Sequence, residues 1–195
     1  YYVNADVMKT GSEEEIGAWL VAHENKRSSD FDYIMFCGPE GVAYTDLGKR
    51  TDVKDRSYFK AIMQDGNVSF IDDPVISKTT GQAVFHVTRA VKSGTKTIGF
   101  IAGVVNVNYI TTISDTVKLG KTGYAWIVSG DGTVLAHKNK DFVMKKNFIN
   151  DVSDDHKDIS IVASAMTKPG VSGYTWINGL DSKKDLVTYV NIPGK

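Results

Sequence analysis

"FDYIMFCGPEGVAYTD" (residues 31–46) and "GYAWIVSGDGTVLAHKN" (residues 123–139) follow one plan. Each is an aromatic, apolar run, then a glycine-bearing turn, then a second apolar run. Tyr33 and Tyr124 head the two copies, and "CGPEG" stands where "VSGDG" stands. Apolar runs flanking such a turn are the pattern of a β-hairpin. A helical stretch follows each copy, "DRSYFKAIMQDG" (55–66) and the residues around 154–167. Further strand pairs come next: two β-rich runs in 76–107 around the turn "KSGTK", then 173–179 with 186–195. The order hairpin, helical connection, hairpin recurs in both halves. It predicts an α+β chain of two modules, each an antiparallel sheet with helices on one side and its own core.

Outward from the first copy, "SEEEIGAWLVAHENKR" (12–27) predicts a helix. Ser12 and Glu15 fit a capping box, and Ile16, Trp19, Leu20 and His23 form one stripe at helical spacing. "YITTISDTVKLG" (109–120) predicts a short helix ending at Gly120. The first core is expected to hold Tyr33, Met35 and Val42, the second Trp126, Ile127 and Leu135. The chain opens on Tyr1 rather than Met and reads as an excised fragment, with room for a last strand beyond Lys195.

Composition narrows the function classes. The 195 residues are 42% apolar and 24% charged, enough to bury a core. Basic and acidic residues balance at 23 each, with no basic stripe, which argues against a nucleic-acid partner. "IGFIAGVVNV" (98–107) is about half of the ~20 residues that span a bilayer. Cys37 is the only cysteine, which forbids an intrachain disulfide; in an apolar strand it reads as a buried inert thiol. The four histidines, His23, His86, His137 and His156, lack metal-ligand spacing. No nucleophile elbow, zincin helix, P-loop or dinucleotide-binding glycine pattern occurs. Asp72 and Asp73 read as a solvated turn before Pro74, the other reading being a metal site. "NVS" (67–69) fits a glycosylation sequon by chance spacing, and "SGDG" (129–132) reads as a hairpin turn rather than a calcium loop. No cofactor or metal is expected.

One local rule is broken. Arg56 is placed in the first helical turn, where the helix dipole favours negative charge. Arg56, Phe59 and Met63 are spaced to share a face that Tyr58 and Ile62 widen. A half-buried guanidinium needs an acceptor. One reading is an ion pair with Asp52, Asp55 or a turn aspartate. The other is a bound ligand whose carboxylate or carbonyl oxygens take the planar fork.

"DVKDRSYFKAIMQDGN", "SKTTGQAVFHVTRAV", "IGFIAGVVNVNYI" and "GKTGYAWIVSGDGTVLAHKN" together resemble the double Cache (dCache) domain, in that family's order and spacing over nearly the whole chain. The family is the extracytoplasmic sensor of chemoreceptors, histidine kinases and some cyclic-nucleotide signalling proteins. The resemblance implies two PAS-like modules behind a long N-terminal helix. Residues 1–30 would end that helix, 31–110 would form the membrane-distal, ligand-binding module and 111–195 the membrane-proximal one. It implies a non-enzymatic domain with flanking transmembrane helices, dimerising through the N-terminal helix. Ligand binding would bias a signalling state across the membrane. In the family's amino-acid sensors the Arg of the matching motif holds the ligand carboxylate and the aromatic two residues on encloses it. Those positions are Arg56 and Tyr58, with Phe59 beside them. The family's amine-binding positions fall on Val75, Ser77 and Asn106, none of them acidic. A desolvated ammonium favours anionic partners, so the expected ligand is a small carboxylate without an amine, or a neutral polar metabolite. His86 either adds a donor or is structural. The competing functions are a hydrolase built on Asp72, Asp73 and His86, and a non-sensing structural module.

Overall fold

A computed structural model describes residues 2–181 and 183–192. The chain divides into two compact units, Tyr1–Asn106 and Val107–Lys195.

In the first unit, α1 (Val7–Thr10) and α2 (Glu13–Ala22) precede strands β1 (Tyr33–Cys37), β2 (Val42–Thr45) and β3 (Arg50–Asp52). Helix α3 (Ser57–Phe59) runs on into a π-helical turn, Lys60–Gln64. Strands β4 (Ser69–Ile71), β5 (Val75–Ile76), β6 (Ala83–Ser93) and β7 (Lys96–Asn106) follow. The sheet is antiparallel, in the order β3-β2-β1-β7-β6-β4, with β5 also paired to β6.

The hairpin expected at 31–46 is present, with Met35 opposite Thr45 and Cys37 opposite Ala43. Strand β1 is buried along its whole length. Side chains alternate across a strand, so Tyr33, Met35 and Cys37 enter one core with Tyr58, Phe59, Ile62 and Phe100. Ile34 and Phe36 enter another with Met8, Ile16 and Leu20. Helices therefore cover both faces rather than one, because "YIMFC" is apolar on both. Val42 is only half-buried and joins neither core.

The capping box forms: Glu15 N–H donates to Ser12 Oγ at 3.2 Å, and Ser12 N–H to Glu15 Oε2 at 2.8 Å. The helix stops at Ala22, five residues short of expectation, and a 3-10 turn at Glu24–Lys26 follows. Gly66, at φ +76°, ends the helical turn after Asp65, as the sequence indicates. Gly94, at φ +61°, turns β6 into β7.

The second unit starts with α4 (Val107–Thr116), then β8 (Lys118–Leu119), β9 (Gly123–Tyr124), β10 (Ile127–Val128) and β11 (Val134–Ala136). It ends with α5 (Lys157–Met166), β12 (Ser172–Asn178) and β13 (Lys184–Val190). Helix α4 begins earlier than expected and ends four residues before Gly120, which instead turns β8 into β9. Among the described residues the strands form three two-stranded antiparallel pairs, β8-β9, β10-β11 and β12-β13. Val134, Phe148, Ile159, Val162, Ala163 and Ile177 form the core, with Trp126 packed against it. Leu135 is buried outside that cluster and Ile127 is half-buried. The "SGDG" turn closes through Asp131, whose carboxylate accepts from the Ser129 hydroxyl and the Thr133 amide. Of the strand expected over 186–195, residues 193–195 lie outside the described residues.

A candidate ligand site in the first unit

The face of β1 that carries Tyr33 and Met35 looks toward the start of α3. Between them is a narrow cavity, also bordered by Thr51 and Val53 after β2, by Ser77, Lys78 and Thr79 in the turn after β5, and by His86 on β6. Arg56 and Tyr58 close it. The cavity is small, about 10 Å³, roughly enough for one water.

Arg56 does not stand in the first turn. It is the N-cap residue, with extended backbone at φ −85° and ψ 143°, so its side chain leaves the helix axis rather than facing the dipole. Its Nη2 donates to the Ile76 carbonyl at 3.0 Å. Among the described residues it has no ion pair. The expected acidic partners are engaged elsewhere. Asp55 accepts from Lys78 Nζ at 2.6 Å, which holds its carboxyl below the usual range. Asp52 Oδ1 accepts from the Lys54 amide at 3.0 Å. The guanidinium thus has four of its five donors unassigned to protein acceptors among the described residues.

Tyr58 is buried, and burial raises its phenol well above the ordinary tyrosine range. Its ring lies over His86, with centroids 4.3 Å apart, and meets the edge of Phe100 at 5.8 Å. His86 is 3% exposed. Its Nδ1 faces Asp72 Oδ2 at 2.8 Å, and its amide donates to Asp72 Oδ1. Asp72 is itself 1% exposed, so the reading of both aspartates as a solvated turn holds only for Asp73. A buried carboxylate is tolerable here because two N–H groups of His86 meet its two oxygens.

Ser77 borders the cavity, but its Oγ accepts from the Thr79 and Thr80 amides at 3.1 Å each and bonds the Tyr33 hydroxyl at 2.9 Å. It closes its own turn before it meets any ligand. Phe59 turns away into the core against Phe100. Val75 pairs with Val84 on β6 and packs against the same core. Asn106, at the end of β7, donates to Asp32 and Gln82 side chains. Of the seven residues singled out from sequence, Arg56, Tyr58, Ser77 and His86 come together on the cavity, while Phe59, Val75 and Asn106 do not line it. As site residues, sequence reasoning missed Tyr33, Met35, Thr51, Val53, Lys78 and Thr79. The period-two alternation of β1 would have put Tyr33 beside Met35. Nothing local marks Lys78, whose Nζ reaches Asp55 and the Asp52 carbonyl across the chain.

Among the described residues, two cations line the cavity and no carboxylate does. Among the described residues no group of three or more His, Cys, Asp or Glu side chains could hold a metal ion. Cys37 is buried and its thiol is pushed up to about 12 by that burial, which makes it unreactive. No helix among the described residues is long and apolar enough to cross a membrane.

Comparison with known proteins agrees with this architecture. The methyl-accepting chemotaxis protein PctB of Pseudomonas aeruginosa is 26% identical over 155 residues, covering 72% of this chain and 24% of that protein. TlpB of Bacillus subtilis, also a methyl-accepting chemotaxis protein, is 26% identical over 126 residues, covering 64% and 17%. The chain thus spans a quarter or less of these relatives. Among solved structures, the ligand-binding domain of the Pseudomonas fluorescens chemoreceptor CtaA in complex with L-alanine has a TM-score of 0.70 at 19% identity, covering 96% of this chain and 76% of that one. The ligand-binding domain of PctB in complex with L-Gln has a TM-score of 0.66 at 20% identity, covering 94% and 70%. The Cache domain family profile matches residues 4–195, and the chain therefore belongs to the Cache domain family.

Proposed function

We propose that the chain is the extracytoplasmic ligand-binding sensor domain of a transmembrane signalling receptor, a chemoreceptor or histidine kinase. It has no catalysis of its own. Its first unit, the membrane-distal module in this reading, takes a small carboxylate or neutral polar metabolite. Transmembrane helices flank the domain in the full-length receptor, and the N-terminal helix serves a homodimer. The family and the chemotaxis proteins among its relatives support the sensor role.

One observation carries the ligand class. Among the described residues, the cavity that Arg56 lines has no carboxylate in its wall, and the partner of its guanidinium is a backbone carbonyl. A planar fork with free donors suits a carboxylate. The similar domains of CtaA and PctB hold L-alanine and L-Gln. Here the wall offers no anion for an ammonium group, and Val75, Ser77 and Asn106 supply none. The cavity's small size favours a ligand of few heavy atoms.

The paired Asp72 and His86 are the feature that favours hydrolysis. Because His86 borders the cavity beside Arg56, we read the pair as a binding element. A thermal-shift screen tests the proposal. Acetate or pyruvate at about 100 times its dissociation constant adds roughly 2.7 kcal/mol, whereas L-alanine and L-glutamine leave the melting temperature unchanged. Stabilisation by the amino acids alone would refute the ligand class, and stabilisation by none of these small molecules would refute the site.

A further inference from the structure

The wall opposite the start of α3 holds a group that the Arg56 argument does not use. His86 is almost fully buried, yet its imidazole borders the cavity. Nδ1 is engaged by Asp72 Oδ2 at 2.8 Å. Nε2 has no hydrogen-bond partner among the described residues, and it is not walled in like the Thr88 hydroxyl, the buried polar atom left without a partner. With Nδ1 held by Asp72, Nε2 is the ring nitrogen left to meet a ligand.

Charged groups of both signs surround the ring. Asp72, on the segment after β4, meets the backbone amide and the ring Nδ1 of His86 with its two carboxylate oxygens. Arg56 at the N-cap of α3 and Lys78 after β5 line the same cavity, and Lys78 also pairs with Asp55. From α3, Tyr58 contributes a ring face and a neutral phenol; from β1, Tyr33 contributes a hydroxyl bonded to Ser77 and Cys37 a neutral thiol. Val104, opposite His86 on β7, is apolar. Asp73 beside Asp72 is exposed. An anion placed in the cavity meets these two cations on one side and the His86 ring, held from behind by Asp72, on the other.

We propose that His86 is the second anchor of the ligand, and that binding of a small anion is coupled to uptake of one proton by the buried Asp72–His86 pair. The proton comes from solvent and adds to Nε2, which donates it in a hydrogen bond to a ligand oxygen; Nδ1–H stays with Asp72. Arg56 and His86 then grip the ligand from two sides. This selects small anions with oxygen acceptors at both ends, such as short 2-oxo acids, over those with one. The inference rests on the proposed binding of a carboxylate at Arg56.

The test is calorimetric titration of the protein with pyruvate and with acetate, at pH 7 in HEPES and in Tris, which differ in ionisation enthalpy. The expected result is a buffer-dependent heat corresponding to proton uptake with pyruvate. Its affinity should fall at least about threefold from pH 6 to pH 8, within the tenfold per pH unit that one proton allows, and acetate should bind more weakly. His86→Gln keeps a hydrogen-bonding side chain without a titration. It should bind pyruvate with equal heats in both buffers and no pH slope, and Asp72→Asn should also lose the uptake. Pyruvate binding that is lost in Arg56→Ala but shows no proton uptake would overturn this inference and leave the Arg56 site standing. Proton uptake that persists in His86→Gln would also overturn it. No binding of either acid to the parent protein would overturn both readings.

Discussion

Ser77 shows why a residue's type and spacing do not settle its role. Its position suggested a ligand contact, but three hydrogen bonds tie its hydroxyl to Thr79, Thr80 and Tyr33. Ser77→Ala would leave two amides and a buried phenol short of a partner. We expect a loss of about 1–3 kcal/mol in chemical denaturation, most of it from the turn. Asp72 was misread for a related reason. Its partners are the amide and ring of His86, fourteen residues away, and no local pattern announces a cross-strand acceptor. His137 was legible only as a histidine without metal spacing. The structure buries it, with the Asn139 amide donating to Nδ1 at 2.9 Å and the Tyr124 hydroxyl 3.3 Å from Nε2. Burial, aided by Lys138 and Lys140, lowers its pKa from 6.5 to about 4. The folded state therefore binds fewer protons than the unfolded chain between those values. This contribution is full above about pH 6.5 and is lost as pH falls toward 4, on the order of 3 kcal/mol in all. Stability measured by urea denaturation should fall between pH 7 and pH 5 in the parent and fall less in His137→Gln. Equal slopes would show that other groups carry the pH dependence.

At the level of elements, most of the reading rested on periodicity and punctuation, and these survived folding. The hairpin at 31–46, the turn at Gly94 and the stop at Gly66 all follow from residues that force or forbid a backbone conformation. The capping box at Ser12 does too. Ser12→Ala should cost about 0.5–2 kcal/mol of stability and leave ligand affinity unchanged, because α2 covers the face of β1 opposite the cavity. A change in affinity equal to that of a cavity residue would show that the two faces are not separate. What failed was the fine register of α3. The sequence suggested a helix already under way at Arg56, whereas it begins at Ser57 and widens into a π-turn from Lys60 to Gln64. One residue changes the meaning of Arg56 from a cation opposing a dipole to a side chain leaving an extended N-cap. That boundary is set by the Val53 carbonyl accepting the Arg56 amide and by the packing of Tyr58 and Phe59, neither of which spacing reveals.

For the whole molecule, the internal repeat carried the architecture: two units, each with a hairpin, helical connection and later strand pair, and separate cores. The repeat did not reveal that the copies differ in sheet size, because strand length depends on partners distant in sequence. Separate cores predict separable effects. Val162→Ala, in the second unit, should lower stability by roughly 2 kcal/mol through lost burial and leave affinity untouched. Ile62→Ala, beneath the turn that follows Tyr58, should lower stability and weaken binding. The central claim is that Arg56 holds the anionic group of the ligand. Its most direct test is titration of the parent, Arg56→Ala and Arg56→Lys with pyruvate, beside their melting temperatures. The account predicts that Arg56→Ala keeps its melting temperature and loses roughly 2–5 kcal/mol of binding, and that Arg56→Lys recovers only part, since an ammonium cannot reproduce the planar fork. Unchanged affinity with a large fall in melting temperature would contradict it, and would make the bond from Arg56 to the Ile76 carbonyl a structural one.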